Sequence, residues 1–523
     1  LTKKLDDAKV KKAPSFERNL LATAKGGSFL AAGTLIEYIS RFVIAFLLAR
    51  LLGADQYGMY SLAISFATIL ASISMLGLDS TMVRYIAIQA RNKDEAAVWG
   101  TIQIGVGFSL LISVLVSIGL FVLSKPISVQ IFHEPELTYF LQLFSFFIPF
   151  STMSSVLVDV ARGFKRMDYS ALGEGFILFA ARFVLLGILA LVNLNALTAV
   201  IAFGLSDVVV TFCLVYLLNK EFPFKRSLRQ AQYNYREIFT FAFPFWFATL
   251  LRKFRGNFQT LLLGSLDTVT GVGIFSIVNK VTLIGHLVYS SIITSVKPIL
   301  AELQDQGNWK QVGDLYTTTT RWAFLCNLPI FLIMLLYPKP ILAIFGASFV
   351  DGALALTVIA FGELVNAATG ICGSIIDMTG HNKLKFINSL ISTVIIVGGN
   401  VLLIPRWGVL GTAVASFVAM SVINLLRFIQ VWFLYRLHPY DATFIKPVLA
   451  AVVAAIIVLS LGRWLPVGVN LFYTIIHMLV LCASYIGILL LLGLAPEERT
   501  ILVRLSHRVS SALNSRMMRS ERV

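Results

Sequence analysis

The residues with the clearest chemical potential are cations standing where charge is costly. The segment TLLRKFRGNFQT (249–260) places Arg252, Arg255 and Gln259 at i, i+3 and i+7, one face of a helix, while Lys253 points elsewhere and can snorkel. Lys280 follows Asn279 in a second apolar stretch. Glu37 and Arg41 stand at i, i+4 in a third, an order that favours an ion pair, with Arg50 further along. A basic side chain at mid-membrane costs about 2.5–3.5 kcal/mol on insertion scales, so such charges persist where they meet water, a partner or a ligand. Arg41, Arg50, Arg252, Arg255 and Lys280 are therefore candidates for a cationic wall that binds an anion. Guanidinium forks suit the oxygens of a diphosphate because they bind them bidentately. The alternative is that these cations are neutralised by acids such as Glu37, Glu174, Asp207 or Glu363.

The acids suggest a second chemistry. Glu37, Asp159, Asp207 and Glu363 are candidates to bind a coupling proton or sodium ion, because a carboxylate in a low-dielectric cavity has a tunable charge. Asn366, one turn after Glu363, would complete a polar pocket. Arg182, eight residues after Glu174 on the same face, reads as structural, and Arg321 and Arg427 near span ends read as snorkelling. Pro149, Pro244 and Pro329 mark expected kinks in their helices. The six histidines lack metal-ligand spacing, and Cys213, Cys326, Cys372 and Cys482 sit singly in apolar runs as core residues. No cofactor or metal site is indicated.

What must position these residues is a membrane-spanning scaffold. The chain has 523 residues, 57% hydrophobic and 13% charged, with a mean hydropathy of +0.82. Soluble domains carry roughly 25% charged residues, so most of this surface must face something other than water. Runs of about 17–25 apolar residues give fourteen spans: 27–50, 57–77, 98–123, 137–160, 169–192, 196–219, 238–263, 271–296, 316–337, 351–379, 386–404, 409–435, 446–464 and 470–492. The net charge of +16 then reflects topology, not a nucleic-acid partner. With the N-terminus inside, cytoplasmic segments hold thirty Lys and Arg against four in external loops, which places both termini in the cytoplasm. Residues 1–19 are polar and basic with no apolar core, so no secretory signal is expected.

An internal repeat organises the spans. At an offset of 215, YGMYS (57–61) falls on VGIFS (272–276) and QARNKDEAAV (89–98) on QDQGNWKQVG (304–313). Nearby offsets align RGFKRMDY (162–169) with TGHNKLKF (379–386) and LTAVIAF (197–203) with GTAVASF (411–417). The expected layout is a basic cytoplasmic tail (1–25), a six-helix N-lobe (26–219), a basic linker (220–237), a six-helix C-lobe (238–435), a two-helix hairpin (446–492) and a basic amphipathic tail (493–523) on the inner membrane surface. No P-loop is present, and no external loop is long enough for a catalytic domain, which argues against an ATPase or a multi-pass glycan polymerase.

The stretches LLARLLGADQYGMYSLA (47–63), GLDSTMVRYIA (77–87), FAFPFWFATLL (241–251), TGVGIFSIVNK (270–280), ILAIFGASFVDGALALTVIA (341–360) and MTGHNK (378–383) resemble, in that order, the polysaccharide-biosynthesis flippases of the multidrug/oligosaccharidyl-lipid/polysaccharide exporter superfamily. The resemblance spans about residues 20–435. It implies an all-α polytopic protein with two six-helix lobes in a V around a central cavity, plus the C-terminal hairpin. It also implies alternating access and export of a polyprenyl-diphosphate-linked oligosaccharide from the inner to the outer leaflet of the plasma membrane. Membrane lipids and polysaccharide-assembly proteins would be its partners. Related lipid II flippases line a central cavity with arginines near their first and eighth helices, for which Arg41 and Lys280 are the nearest equivalents, with Arg252 and Arg255 on the adjoining helix. A cation-coupled multidrug exporter of the same superfamily is the competing expectation. Such exporters typically have twelve spans and acid-lined lobes.

Overall fold

The structure, a computed structural model, describes residues 14–192, 195–221, 231–462 and 471–493; the side chains of 14–37, 192, 221, 248, 255, 382 and 471 fall outside the description. The expected cytoplasmic tails at 1–13 and 494–523, the core of the linker at 222–230, and the side chains of Glu37 and Arg255 therefore lie outside the described residues.

Sixteen α-helices and no strand are found among the described residues. They are α1 (Pro14–Ser74), α2 (Leu78–Arg91), α3 (Glu95–Pro126), α4 (Leu137–Gly163), α5 (Met167–Ala171), α6 (Leu178–Val192), α7 (Ala196–Glu221), α8 (Tyr235–Leu266), α9 (Val269–Asp305), α10 (Trp309–Leu336), α11 (Pro338–Ala343), α12 (Ala353–Thr369), α13 (Cys372–Met378), α14 (Asn382–Tyr435), α15 (Ile445–Leu461) and α16 (Leu471–Leu491). A π-helical turn, Leu172–Ile177, links α5 to α6.

Two helices are far longer than one crossing requires. α1 breaks at Gly53 (φ 74°) and α14 at Gly408 (φ 50°), backbone conformations that a β-carbon disfavours. Each is thus a pair of helical segments joined through a glycine, where the sequence suggests a short loop.

Among the described residues, ten helices are long and apolar enough to cross a membrane, or eleven when the bent pair Tyr38–Ser74 and Leu78–Arg91 is counted. The expected fourteen exceeds this count for identifiable reasons. α8 carries Arg252, Lys253 and Arg255 and does not qualify, α14 counts once despite its break at Gly408, and α1, which holds the expected spans 27–50 and 57–77, counts once within the bent pair. The chain is a multi-pass helical membrane protein.

Contacts divide the chain into two units, 1–276 and 277–523, with the division inside α9. The core of the first unit joins Met82 and Ile86 of α2, Ile102 of α3, Val156 and Val160 of α4, and Leu214 of α7. That of the second joins Ile293 and Leu300 of α9, Tyr316 of α10, Ile375 of α13 and Val431 of α14.

Within the first unit, the segment after the α1 break packs against the first turns of α9. A β-carbon on Gly58 would run into the carbonyl oxygen of Val269, and one on Gly273 into that of Ala54. Thr270 Oγ1 donates to Asp55 Oδ1 at 3.1 Å. Ala54, Asp55 and Gly58 each stand 215 positions before Val269, Thr270 and Gly273, so the contact joins positions that the repeat equates. Backbone against backbone leaves no flexible side chain to yield. Gly58→Ala and Gly273→Ala should therefore each destabilise by at least the usual overpacking cost of about 1–3 kcal/mol. Thermal unfolding of the purified variants measures this, and an unchanged Tm in both would refute the close approach.

In the second unit, α15 and α16 form a hairpin packed on α10. Arg321 of α10 does not snorkel as its position near a span end suggests. It is 4% exposed, with Nη1 donating to Asp441 Oδ2 at 3.1 Å and Thr443 Oγ1 at 2.7 Å. The partner lies 120 residues away, at the entry to the hairpin, and supplies a counter-charge to the buried guanidinium.

Candidate functional site

Charge in the first unit gathers around α8. Asn234 precedes the helix, and Pro244 lies inside it, eight residues before Arg252. Arg252 and Lys253 are both exposed, although the helix is otherwise bracketed by aromatic and aliphatic residues. Arg41 of α1, Arg252, Asp79 of α2 and Glu174 of the π-helical turn all act electrostatically on Lys253. Arg41 and Arg252 thus both act on Lys253, which follows Arg252 directly on α8.

Lys253 is the residue that sequence reasoning set aside. It lines a cavity of about 100 Å³ together with Ser72 and Thr68 of α1, Ser151 and Ser155 of α4, and Asp207 of α7. Its helical position, one residue after Arg252, points away from the Arg252 face, but four methylenes give it the reach to enter this pocket. Asp79 was also passed over. Its Oδ1 is buried without a hydrogen-bond partner, a costly arrangement that Lys253 partly offsets electrostatically. The only sequence signal for Asp79 is an acid in the apolar bend GLDS.

Asp159, Glu174 and Asp207 of this unit meet arginines. Arg162 Nη1 meets Asp159 Oδ1 at 3.0 Å, its Nη2 contacts Glu174, and its Nε donates to Ser170 Oγ at 3.0 Å. Arg182 Nη2 lies 3.6 Å from Asp207 Oδ1, its Nε donates to Ser206 Oγ at 3.1 Å, and its guanidinium sits 3.9 Å over the Phe203 ring. Arg182 is therefore structural, as expected, and Asp207 supplies it with an acid from another helix. Both members of this pair are nearly buried. Such a pair is held by geometry, and removing one partner strands the other.

The remaining expected residues are dispersed. Arg50 is exposed three residues before the Gly53 break. Lys280 belongs to the second unit, half-buried on α9 next to exposed Asn279. Glu363 of α12 lies 3.7 Å from His286 of α9, a partner the sequence did not single out. Asn366 is buried one turn further on, where its carbonyl accepts the Gly370 N–H that ends α12.

A model of the family described as polysaccharide biosynthesis protein matches residues 23–304, more than half of the chain. The chain belongs to that family. A second model, MatE, matches residues 244–402. Among curated proteins, the chain is similar to the probable flippase AglR of Haloferax volcanii, 25% identical over 42% of this chain and 46% of that protein. It spans about half the length of the curated relatives it matches first. Among solved structures it is similar to the lipid II flippase MurJ in an inward closed conformation, with a TM-score of 0.67, 15% identity, and coverage of 88% of this chain and 97% of that one. An inward-facing multidrug resistance MATE family transporter matches with a TM-score of 0.64, 15% identity, and coverage of 76% and 94%. At this identity the likeness is one of fold: this polysaccharide biosynthesis protein shares the helical transporter architecture of both.

Proposed function

We propose that the chain is a flippase that carries a polyprenyl-diphosphate-linked oligosaccharide from the inner to the outer leaflet of the plasma membrane, by alternating access, for cell-surface polysaccharide assembly. The observation that carries this reading is that Arg41 of α1 and Arg252 of α8 both act electrostatically on Lys253 of α8 in a polysaccharide biosynthesis protein. A diphosphate headgroup crossing a bilayer must exchange its water shell for fixed donors, and charge-assisted contacts to guanidinium and ammonium supply them. The similarity to a probable flippase and the MurJ-like fold agree with it. In this reading residues 26–219 and 238–435 are the two lobes, 220–237 the linker, and 446–492 an appended hairpin. Both termini are cytoplasmic, and Arg255, Lys280 and Arg50 extend the cationic lining. Lipid-linked glycan and bilayer lipids are the partners, with polysaccharide-assembly proteins acting on the product.

The MatE match favours a second reading, a cation-coupled drug exporter. The ion pairing of Asp159 with Arg162 and of Asp207 with Arg182 weighs against it, since acids already neutralised by arginine attract a cationic drug poorly. Liposomes holding the purified full chain separate the two. Leaflet transfer of a fluorescent polyprenyl-diphosphate saccharide is expected, and efflux of a cationic dye is not. Dye movement without glycolipid transfer would overturn the flippase reading.

A further inference from the structure

Asp159 and Asp207 on the one hand and Glu363 on the other meet chemically different kinds of partner. Asp159 and Asp207 face arginines, whose guanidinium keeps its charge at any physiological pH. Glu363 faces an imidazole, the side chain whose ordinary titration falls near neutrality. His286 Nδ1 lies 3.7 Å from Glu363 Oε2, with the Glu363 side chain 18% exposed. Glu363 also borders a small cavity lined by Thr282 of α9 and Asn327 of α10 among apolar residues. Asn327 is buried and donates to the Ala323 carbonyl at 2.9 Å.

Among the described residues, Tyr289, Cys372 and Arg427 are further ionisable groups of this neighbourhood. Tyr289 of α9 has its ring 6.3 Å from that of His286, and its hydroxyl donates to the Gly370 carbonyl at 2.8 Å. Cys372 of α13 and Arg427 of α14 act electrostatically on Tyr289, as does Glu363. α10 lines the cavity with Asn327, Ile330, Phe331 and Met334, none of them ionisable. Arg427 brings a fixed positive charge to Tyr289, whereas His286 carries an imidazole against Glu363.

We propose that His286 and Glu363 together form the proton-binding site that couples a proton to movement of the helices. With α9 and α12 in contact, the pair holds one proton as imidazolium against carboxylate. Lengthening the contact takes the counter-charge away from the imidazolium, whose side chain is 46% exposed, and the proton passes from the imidazole nitrogen to water. Renewed contact takes a proton up. Only an N–H bond is broken and remade, so one proton moves per cycle with no other reactant. The same protonation that depends on helix position must, by linkage, bias helix position. A carboxylate held by arginine cannot serve this way, because its partner offers no proton to give.

The proposal deepens the transport reading by naming what drives it, yet it can be tested without substrate. In the full chain with isotopically labelled histidine, the signal lost in His286→Gln identifies His286 among the six histidines. Glu363→Gln should move the midpoint of that signal by at least about one pH unit. An unmoved midpoint would overturn the pairing. In liposomes, the wild-type transfer rate should change about tenfold per pH unit on one limb of its profile. His286→Gln and Glu363→Gln should both flatten that limb while eluting as folded monodisperse protein. Retention of the wild-type profile in both variants would overturn the coupling role. If the wild type moves no glycolipid, the flippase reading fails, while the histidine titration still decides the pair.

Discussion

Alanine at both Arg252 and Lys253 should slow leaflet transfer of the lipid-linked saccharide by more than about a hundredfold, because each charge-assisted contact to a diphosphate is worth about 1.5–3 kcal/mol. The protein should remain folded. Both side chains are exposed, so neither removal opens a cavity in the core, and alanine is the best helix former. Glu174 keeps its contact with Arg162 when Lys253 is lost. Arg252→Lys should fall between, since it keeps the charge and loses the fork that binds two oxygens at once. Leaflet transfer measured beside the elution profile of each variant checks the expectation. A double variant within about twofold of wild type, a difference far below one charged contact, would remove α8 from the anion site.

Why Lys253 escaped the sequence reading is instructive about what helical spacing resolves. Spacing fixes where a β-carbon points, and it correctly separates Arg252 from Lys253 by about 100° on α8. It does not fix where a flexible ammonium ends. Lys253 reaches the serine-lined cavity that also contains Asp207, a residue from another helix and 46 positions earlier. Arg321 misled for the same reason, since its acid stands 120 residues on. His286 and Glu363 are 77 positions apart and carry no spacing signal at all.

The helices themselves were far more legible. Crossing a bilayer requires every backbone group to be satisfied within the segment, so long apolar runs translate directly into helices such as α3, α7 and α16. Legibility falls where a helix departs from that logic. α8 breaks the apolar pattern with three cations, and α1 and α14 carry the helix through a glycine where composition suggests a loop. The repeat was legible in part because its matched glycines have a shared job: Gly58 and Gly273 admit each other's helix backbone, and nothing larger fits.

Asp441→Ala should cost about 3–5 kcal/mol, the penalty for breaking a buried ion pair from the side that strands a charge. Arg321 is the buried member, with its side chain 5% exposed, whereas Asp441 is 39% exposed. Removing Asp441 takes a carboxylate contact at 3.1 Å away from a guanidinium in the interior. Asp441 also caps the turn that opens α15, accepting from Thr443 N at 3.0 Å and Phe444 N at 3.1 Å, so losing the cap adds about 1 kcal/mol. The reverse substitution, Arg321→Met, removes the buried charge, fills most of its volume and leaves Asp441 to water, so it should cost no more than about 1–2 kcal/mol. The predicted asymmetry separates an electrostatic clasp from mere packing, since packing would make loss of the larger side chain the worse of the two. Because the pair ties α10 to the entry of the hairpin, Asp441→Ala should also expose the connection between α14 and α15 to protease before the rest of the chain unfolds. Thermal unfolding and limited proteolysis of the two variants test this. Equal loss in both, or greater loss in Arg321→Met, would show that the hairpin is held by its apolar face against α10 and not by the clasp.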